Sequence, residues 1–321
     1  AVLADGTVTT FGEVSLDELR ERADPDGDLE ARIHDAVARV VDEQADAVRE
    51  RYPALKRNVS GYNLDRLVAE AEGGSVNLAR LLCGSEGTLA VVTEVEVALE
   101  PVPETKANAL LTYPDLAAAL EDVAAVLEHD PCAVEVLDDV LLDRAAATDE
   151  FAQAVALLPE GTGAVLLVEF YADSDRDGRQ QVADLLSDRA PDVEASVDPG
   201  PDALSTGDPV RAAGALEAHD EARRERFWTL RKSGLPILLG RTSDAKHVAF
   251  VEDTAVPPER LPEFVADFQA LLEEHGTYAS FYAHAGPGVL HIRPLVNTKT
   301  VEGVETMAAI ADAATDLVVE Y

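Results

Sequence analysis

Lysine is nearly absent from this sequence: only 5 of the 26 basic residues are lysines, and 62 acidic residues outnumber them, for a formal net charge of −36. A nucleic-acid-binding face is therefore excluded, because it would need lysine and arginine to neutralise phosphates. The acidic residues are dispersed along the chain, whereas an acidic surface for cationic partners would favour clustering. Dispersed acid with little lysine indicates a protein that works in concentrated salt, where screening shrinks to about 3 Å at 1 M.

Cysteine is also scarce, and long apolar runs are missing. Cys83 and Cys132 provide neither a disulfide framework nor a C-x-x-C metal motif, which favours a reducing interior. No apolar run approaches the ~20 residues that cross a bilayer, and the first residues lack a signal-peptide pattern. We expect a cytoplasmic protein without an integral membrane segment, peripheral to a membrane at most through a partner.

Hydrophobic residues make up 47% of the 321 positions, enough for two globular domains. The Asp5-Gly6 pair near the start predicts a hairpin. Apolar residues at spacings of 3, 4 and 7 predict one amphipathic helix over Leu29–Arg51, capped by Asp26 or Asp28. A shorter helix is predicted over Asn63–Glu72.

Short strands alternate with helices after Pro103, where proline and acidic residues close the first unit. Because we found no long Val/Ile-rich runs, the pattern favours an antiparallel sheet covered by helices on one face. Residues 190–210, rich in Pro, Asp and Gly, predict a long loop. The predicted strands are 109–113, 133–137, 164–171 and 248–256, with a hairpin over 278–295, and the predicted helices are 116–127, 141–157, 180–186, 212–230, 258–275 and 301–321.

Two glycines bracket a short polar turn, Gly84-Ser85-Glu86-Gly87, and a β-branched run from Thr88 to Val95 follows it. Glycine permits a positive φ and a close backbone approach, so such a turn at the head of a strand can present N–H groups to a phosphate or a ring edge. A tight turn before a buried strand explains the same residues.

Two further groups of residues point to chemistry. Arg231 ends a helix that carries the single tryptophan, and it suits either bidentate carboxylate capture or a surface ion pair. His284 and His291 flank two glycines, which permit a bend that brings both imidazoles to one side. Two imidazoles with a carboxylate make a site for Zn, Mn or Fe, whereas two histidines without a third ligand are also found as independent polar residues.

Three strings carry a resemblance that spans nearly the whole chain: RYPALKRNVSGYNLDRL, LLCGSEGTLAVVTE and FYAHAGPGVLHIRPLV. Together they resemble the FAD-linked oxidases of the vanillyl-alcohol oxidase type, whose strings read approximately R-N-x-x-G-Y-x-L, G-S-E-G-T-L-G-I-V-T-E and G-H-x-G-D-G-N-x-H. The third string departs from the pattern, because Ala283, Pro287 and Val289 replace Gly, Asp and Asn. In this form it looks closer to large dehydrogenases in which a flavin unit is fused to iron–sulphur domains.

The resemblance implies an α+β fold with two domains. Residues 1–103 would be the later part of a vanillyl-alcohol-oxidase-type FAD-binding domain, and residues 104–321 a ferredoxin-like cap domain with an antiparallel sheet, which contacts the substrate. The implied activity is oxidation of a D-2-hydroxy acid, of the D-lactate, glycolate or D-2-hydroxyglutarate type, by hydride transfer to FAD. An electron acceptor or an iron–sulphur partner would then reoxidise the flavin.

The resemblance also assigns roles to residues of this sequence. Arg231 and Arg293 would fix the substrate carboxylate, and His284 and His291 would hold a divalent metal. Backbone contacts with FAD are implied for Gly61, Tyr62, Gly84, Ser85, Glu86, Gly87, Thr88 and Val91.

Three strings expected of such enzymes are missing from this sequence: the glycine-rich pyrophosphate loop, an iron–sulphur cysteine motif and the S-G-E-H-G-x-G string with the third metal ligand and the catalytic base. We therefore expect a fragment truncated at both ends that is inactive alone, with any iron–sulphur cluster in the missing regions. The alternative is a non-catalytic acidic halophilic module that binds no flavin.

Overall fold

The structure, a computed structural model, describes three stretches of the chain, residues 1–57, 61–191 and 211–321. They form two compact units, one of residues 1–54 and 58–100 and the other of residues 55–57 and 101–321. The loop predicted over residues 190–210 lies, from residue 192 onward, outside the described residues. The domain boundary after residue 103 stays a prediction.

Short helices and a two-stranded sheet build the first unit. Strands β1 and β2 pair antiparallel, with Val14 opposite Val76. Leu19, Leu67 and Val76 are fully buried at the centre of its core. The strands are β1 (Glu13–Ser15) and β2 (Ser75–Asn77), and the helices are α1 (Leu16–Arg22), α2 (Leu29–Glu43), α3 (Ala45–Arg51) and α4 (Leu64–Ala71), with a 3₁₀ turn at Leu78–Leu81.

The predicted helix over residues 29–51 is two helices, because the backbone at Gln44 leaves the helical region with φ −119° and ψ 3°. Asp28 caps α2 as expected, its side chain accepting from the N–H of Ala31 at 2.9 Å. The Asp5-Gly6 turn forms, but only Val2 and Val8 pair across it. The predicted pair of strands is therefore reduced to a single bridge.

The buried strand expected from Thr88 to Val95 is wrong within the described residues. Val91 makes an isolated bridge to Val2, while Val92 and Val95 are exposed. A β-branched run becomes a strand only where a neighbouring strand can satisfy its backbone, and Val2 is the one such neighbour in the described part of the chain.

An antiparallel sheet of eight strands organises the second unit. Its order is β6-β3-β5-β4-β9-β10, and β7 and β8 both pair with β10. When β3, β4, β5 and β6 are numbered 1 to 4, their order in the sheet is 4-1-3-2, which is the ferredoxin-like arrangement. The strands are β3 (Thr105–Tyr113), β4 (Ala133–Asp138), β5 (Ala164–Ala172), β6 (Gly214–Ala218), β7 (Lys246–His247), β8 (Val251–Ala255), β9 (Ala279–His284) and β10 (Val289–Val296).

Helices cover both faces of this sheet, so the prediction of one covered face is wrong. On β5, Leu166 and Val168 join one apolar core with α5, α8, α11 and α12, and Val165 and Leu167 join a second core with α6 and α9. The helices are α5 (Leu116–Leu127), α6 (Asp139–Ala146), α7 (Ala152–Val155), α8 (Asp175–Arg189), α9 (Glu221–Lys232), α10 (Gly234–Leu239), α11 (Leu261–Glu274) and α12 (Val301–Glu320).

The predicted extents of two helices in this unit are wrong. The one over residues 141–157 is interrupted between α6 and α7. The one over residues 212–230 begins as the edge strand β6, which pairs with β3, and becomes helical only after the cap at Asp220. The prediction of α5 agrees with the structure, and the α+β class is confirmed.

Candidate functional site

The two histidines singled out by the sequence lie on the same face of the large sheet. Strand register explains why: on β9, Tyr282 and His284 point the same way, and His291 of β10 pairs opposite Tyr282. The imidazole centroids of His284 and His291 are 5.1 Å apart with the rings nearly perpendicular. Glu135 of β4 pairs opposite His284 and completes the group.

The tight connection between β9 and β10 depends on one glycine. Gly288 has φ +74°, and a Cβ there would overlap the carbonyl oxygen of Val256 at the end of β8. The N–H of Val256 donates to the carbonyl oxygen of Gly288 at 3.1 Å, so the turn and β8 are joined directly. The bend predicted from the two glycines is thus packed against β8, the strand that carries Glu252 and Asp253.

Glu135 connects one histidine to one arginine. Its Oε1 lies 2.8 Å from Nδ1 of His284, and its Oε2 accepts from Nε of Arg231 at 2.8 Å. Nη2 of Arg231 is 2.7 Å from the same Oε2. Glu135 and Arg231 are both buried, so Arg231 makes a buried ion pair and not the surface pair that the sequence left open.

Glu252 makes the corresponding connection on the other side. Its Oε2 lies 2.9 Å from Nδ1 of His291, and its Oε1 lies 2.6 Å from Nη2 of Arg293. Asp253 approaches His291 at 3.3 Å and holds its backbone at φ +49°, in the left-handed region that non-glycine residues seldom adopt. Burial lowers the pKa of His291 below its ordinary range, which favours the neutral, metal-binding form.

Tyr282 separates the two arginines. The guanidinium carbons of Arg231 and Arg293 each lie 5.1 Å from the centroid of its ring, and Arg293 donates to its hydroxyl from Nη2 at 2.9 Å. Nη1 of Arg293 is buried and has no hydrogen-bond partner in the part of the chain that the structure describes. That nitrogen is therefore a buried donor whose hydrogens are unsatisfied.

One set of metal-binding atoms meets at His291. Donor atoms of Glu252, Asp253 and His291 lie within 4.8 Å of one another. Sequence reasoning paired His291 with His284 and looked for the carboxylate elsewhere, so Glu252 and Asp253 were missed. The Nδ1 atoms of both histidines face carboxylates, so Nε2 is the ring nitrogen that each histidine keeps for another contact.

A small cavity adjoins this group on the His284 side. It has a volume of about 190 Å³ and is lined by His284, Glu135, Gly286 and the exposed Lys56 and Arg57. In a chain of net charge −36, two adjacent exposed cations in its lining favour the approach of an anion.

The residues expected to contact FAD gather in the first unit. The hydroxyl of Tyr62 lies 3.0 Å from Oγ1 of Thr88, which joins the loop before α4 to the glycine turn. Within that turn Gly84, Glu86 and Gly87 all have positive φ, and the space beside the Cα of Gly87 is open.

The remaining members of this predicted set have other contacts. Ser85 is buried, and its hydroxyl donates to the carbonyl oxygen of Leu82 at 3.0 Å. Gly61 also has a positive φ, and Val91 stands apart, bridged to Val2. The open, positive-φ backbone of the turn fits the close approach of a flavin, whereas Ser85 would contribute only its backbone.

Four residues of the site in the second unit were not predicted from the sequence: Glu135, Tyr282, Glu252 and Asp253. Glu135 carried a usable signal, because it is a charged residue inside the apolar strand A-V-E-V-L-D and such a residue requires a partner.

Among the described residues, no helix combines the length and apolarity that crossing a bilayer requires.

Comparison with known proteins places the chain in a family. Residues 102–321 match the family described as FAD linked oxidases, C-terminal domain. The match covers more than half of the chain, so this protein belongs to the FAD-linked oxidase family, and the resemblance inferred from the three strings is confirmed.

The relatives are considerably longer than this chain. It is 31% identical over 290 residues to the D-2-hydroxyglutarate dehydrogenase of Pseudomonas putida, covering 89% of this chain and 27% of that protein. It is 28% identical over 325 residues to the D-2-hydroxyglutarate dehydrogenase of Escherichia coli, covering 100% of this chain and 31% of that protein. A solved structure of alkyldihydroxyacetonephosphate synthase is 16% identical with a TM-score of 0.44, covering 78% of this chain and 46% of that one.

Proposed function

We propose that this chain contributes the substrate-binding and metal-binding part of an FAD-dependent dehydrogenase that oxidises a D-2-hydroxy acid to the 2-keto acid. The observation that carries the proposal is the convergence of two imidazoles and two arginines around Tyr282 on one sheet face. The names of the D-2-hydroxyglutarate dehydrogenase relatives support the substrate class.

The two arginines bind and orient the substrate carboxylate in this proposal. Arg231 and Arg293 already pair with Glu135 and Glu252, so the substrate must use donors that these pairs leave over. Nη1 of Arg293 is such a donor, and burial strengthens a hydrogen bond made there. The stacking on Tyr282 fixes both guanidinium planes, which reduces the entropy lost on binding.

The histidines hold a divalent metal, Zn, Mn or Fe, through ring nitrogens, with Glu252 and Asp253 as candidate carboxylate ligands. When bound, the metal supplies a Lewis acid for the substrate hydroxyl, and FAD supplies the hydride acceptor. Gly61, Tyr62, the turn from Gly84 to Thr88 and Val91 would contact the flavin. The resemblance assigns the base to a histidine in a string absent here, so we expect this chain to bind ligands without turning over D-lactate.

Metal binding by the 321-residue chain tests this function. We expect Mn²⁺ to bind, as measured by electron paramagnetic resonance, and the signal of the bound ion to change with D-2-hydroxyglutarate but not with its L enantiomer. His284→Asn and His291→Asn should each weaken Mn²⁺ binding about 10- to 100-fold. His275→Asn, which changes a histidine at the end of α11 and away from this group, should leave it unchanged.

Two results would contradict the proposal. A chain that binds neither a divalent ion nor a 2-hydroxy acid would favour the non-catalytic acidic module. Hydride transfer from D-lactate by the 321-residue chain at high salt would refute the expectation that the base lies in another part of the enzyme. We also propose that an electron acceptor or an iron–sulphur partner reoxidises the flavin, and that the enzyme works in the cytoplasm.

A further inference from the structure

We propose that Glu135 is the positioning residue of this site: it keeps the proton of His284 on Nδ1 and fixes Arg231, which leaves Nε2 of His284 as the atom that binds metal. The inference rests on the proposed metal site only for the role of Nε2. The placement of the proton is a property of the chain itself, and it is measurable without any metal.

The hydrogen bonds determine where the proton lies. Both oxygens of Glu135 are occupied, because Oε1 contacts Nδ1 of His284 and Oε2 accepts from Nε of Arg231, with Nη2 of that arginine 2.7 Å from Oε2 in the ion pair. An ionised carboxylate only accepts, and a guanidinium only donates. The 2.8 Å contact with Oε1 is therefore satisfied only if Nδ1 carries the hydrogen, so a neutral His284 must be the Nδ1–H tautomer.

Burial distinguishes Glu135 from the similar carboxylate on the other side. The side chain of Glu135 is 7% exposed, whereas that of Glu252 is 43% exposed. Water therefore replaces Glu252 at His291 more readily than it replaces Glu135 at His284. Strand register adds to this, because pairing of β4 with β9 fixes the backbone of Glu135 directly opposite that of His284.

The variant Glu135→Gln follows from the same inventory of donors and acceptors. An amide has one acceptor oxygen, and Arg231 has no means of accepting, so that oxygen must face Arg231. The amide NH₂ then faces His284, whose Nδ1 has to accept, and the proton moves to Nε2. We expect Zn²⁺ affinity to fall about 10- to 100-fold, the range seen when such an outer partner is lost.

Nuclear magnetic resonance of the ¹⁵N-histidine-labelled 321-residue chain, at about pH 8.5 and so above the ordinary histidine range, reads the tautomer directly. His284 is assigned by the signal missing from His284→Asn. We expect Nδ1–H in the wild type and Nε2–H in Glu135→Gln. The double variant Glu135→Gln/Arg231→Met should return to Nδ1–H, because the amide oxygen is then released to His284.

Glu169→Gln is the matched control, since Glu169 is a buried carboxylate on the same sheet face that accepts from Asn108 and Trp228 and contacts no imidazole. It should leave the tautomer of His284 unchanged. An Nε2–H tautomer in the wild type overturns the proposal without any variant, and so does a folded Glu135→Gln that keeps Nδ1–H. If the tautomers behave as expected and Zn²⁺ still does not bind, the positioning role stands and the proposed metal function falls.

Discussion

Arg293 connects Tyr282 and Glu252 through one side chain. It donates to the hydroxyl of Tyr282, pairs with Glu252 and stacks over the ring of Tyr282, while only 3% of it is exposed. A lysine ammonium is a point charge that cannot reproduce the planar fork. We expect Arg293→Lys to lower the free energy of unfolding by about 1–3 kcal/mol, measured by urea denaturation at fixed high salt.

Arg260→Lys is the control for that substitution. The Arg260 guanidinium also lies over a tyrosine ring, 4.4 Å from the centroid of Tyr321, but its side chain is 43% exposed. A change within about 0.5 kcal/mol is expected there. Equal losses in the two variants would mean that burial of the Arg293 group contributes nothing.

Asp138 gives the second prediction at this scale, through the pH dependence of stability. It is fully buried, caps α6 and accepts from the N–H of Phe281 at 2.6 Å and from the hydroxyl of Ser280 at 2.9 Å. Burial outweighs these hydrogen bonds and raises the pKa of Asp138 to about 7. The folded chain therefore keeps a proton that the unfolded chain releases near pH 4.

The sign of the effect follows from that difference. Because the folded pKa is raised, the contribution of Asp138 to stability is complete below about pH 4 and is lost as the pH rises through about 7. Asp138→Asn has no such proton, so the stability of the wild type relative to this variant should fall by up to about 4 kcal/mol between pH 4 and 8. Urea denaturation of both proteins across this range measures it, and a flat difference would contradict it.

At the scale of the elements, the turn between β9 and β10 tolerates little change. Gly288 combines a positive φ with contact against Val256, so an added methyl group meets both strain and overlap. We expect Gly288→Ala to cost about 2–4 kcal/mol of unfolding free energy. Gly276 has φ +67° with open space around it, so Gly276→Ala should cost only about 1 kcal/mol in the same denaturation experiment.

Local patterns predicted the elements that form from neighbouring residues. The cap at Asp28, the helix Leu116–Leu127 and the hairpin with His284 and His291 could all be expected, because turn and periodicity signals lie within the element. The strand β6 could not, since G-A-L-E-A suits a helix and only pairing with β3 makes it a strand.

The site divides along the same line. His284 and His291 lie on one hairpin, so a single sequence motif predicted both. Glu135 and Glu252 reach them from β4 and β8, and strand register, which the sequence does not state, decides that approach. The covering of both sheet faces does have a local signal: in A-V-L-L-V at the start of β5 both alternating sets of positions are apolar.

For the whole molecule, the net charge of −36 predicts a dependence on salt. Dispersed carboxylates repel one another in the compact state, and salt screens that repulsion. We expect the melting temperature to rise steeply with KCl between about 0.05 and 0.5 M, where the screening length changes most. Thermal unfolding followed by circular dichroism measures it.

The kind of salt is the control for that prediction. Sulfate strengthens apolar burial at high concentration whatever the charge of the protein. If stabilisation appears only above about 1 M, and with sulfate but not with chloride, then mutual repulsion is not its cause.

The two cysteines fall one in each compact unit, Cys83 in the first and Cys132 in the second, and both residues are exposed. Their thiols differ in reactivity: although Cys132 is exposed as a residue, its sulfur donates to the carbonyl oxygen of Glu169 at 3.1 Å, and partial desolvation of that sulfur raises its pKa to about 12. A maleimide dye should therefore attach to Cys83 first and to Cys132 only at length. The native sequence thus offers sequential attachment points for a donor and an acceptor fluorophore, and energy transfer between them can follow the spacing of the units as ligands are added.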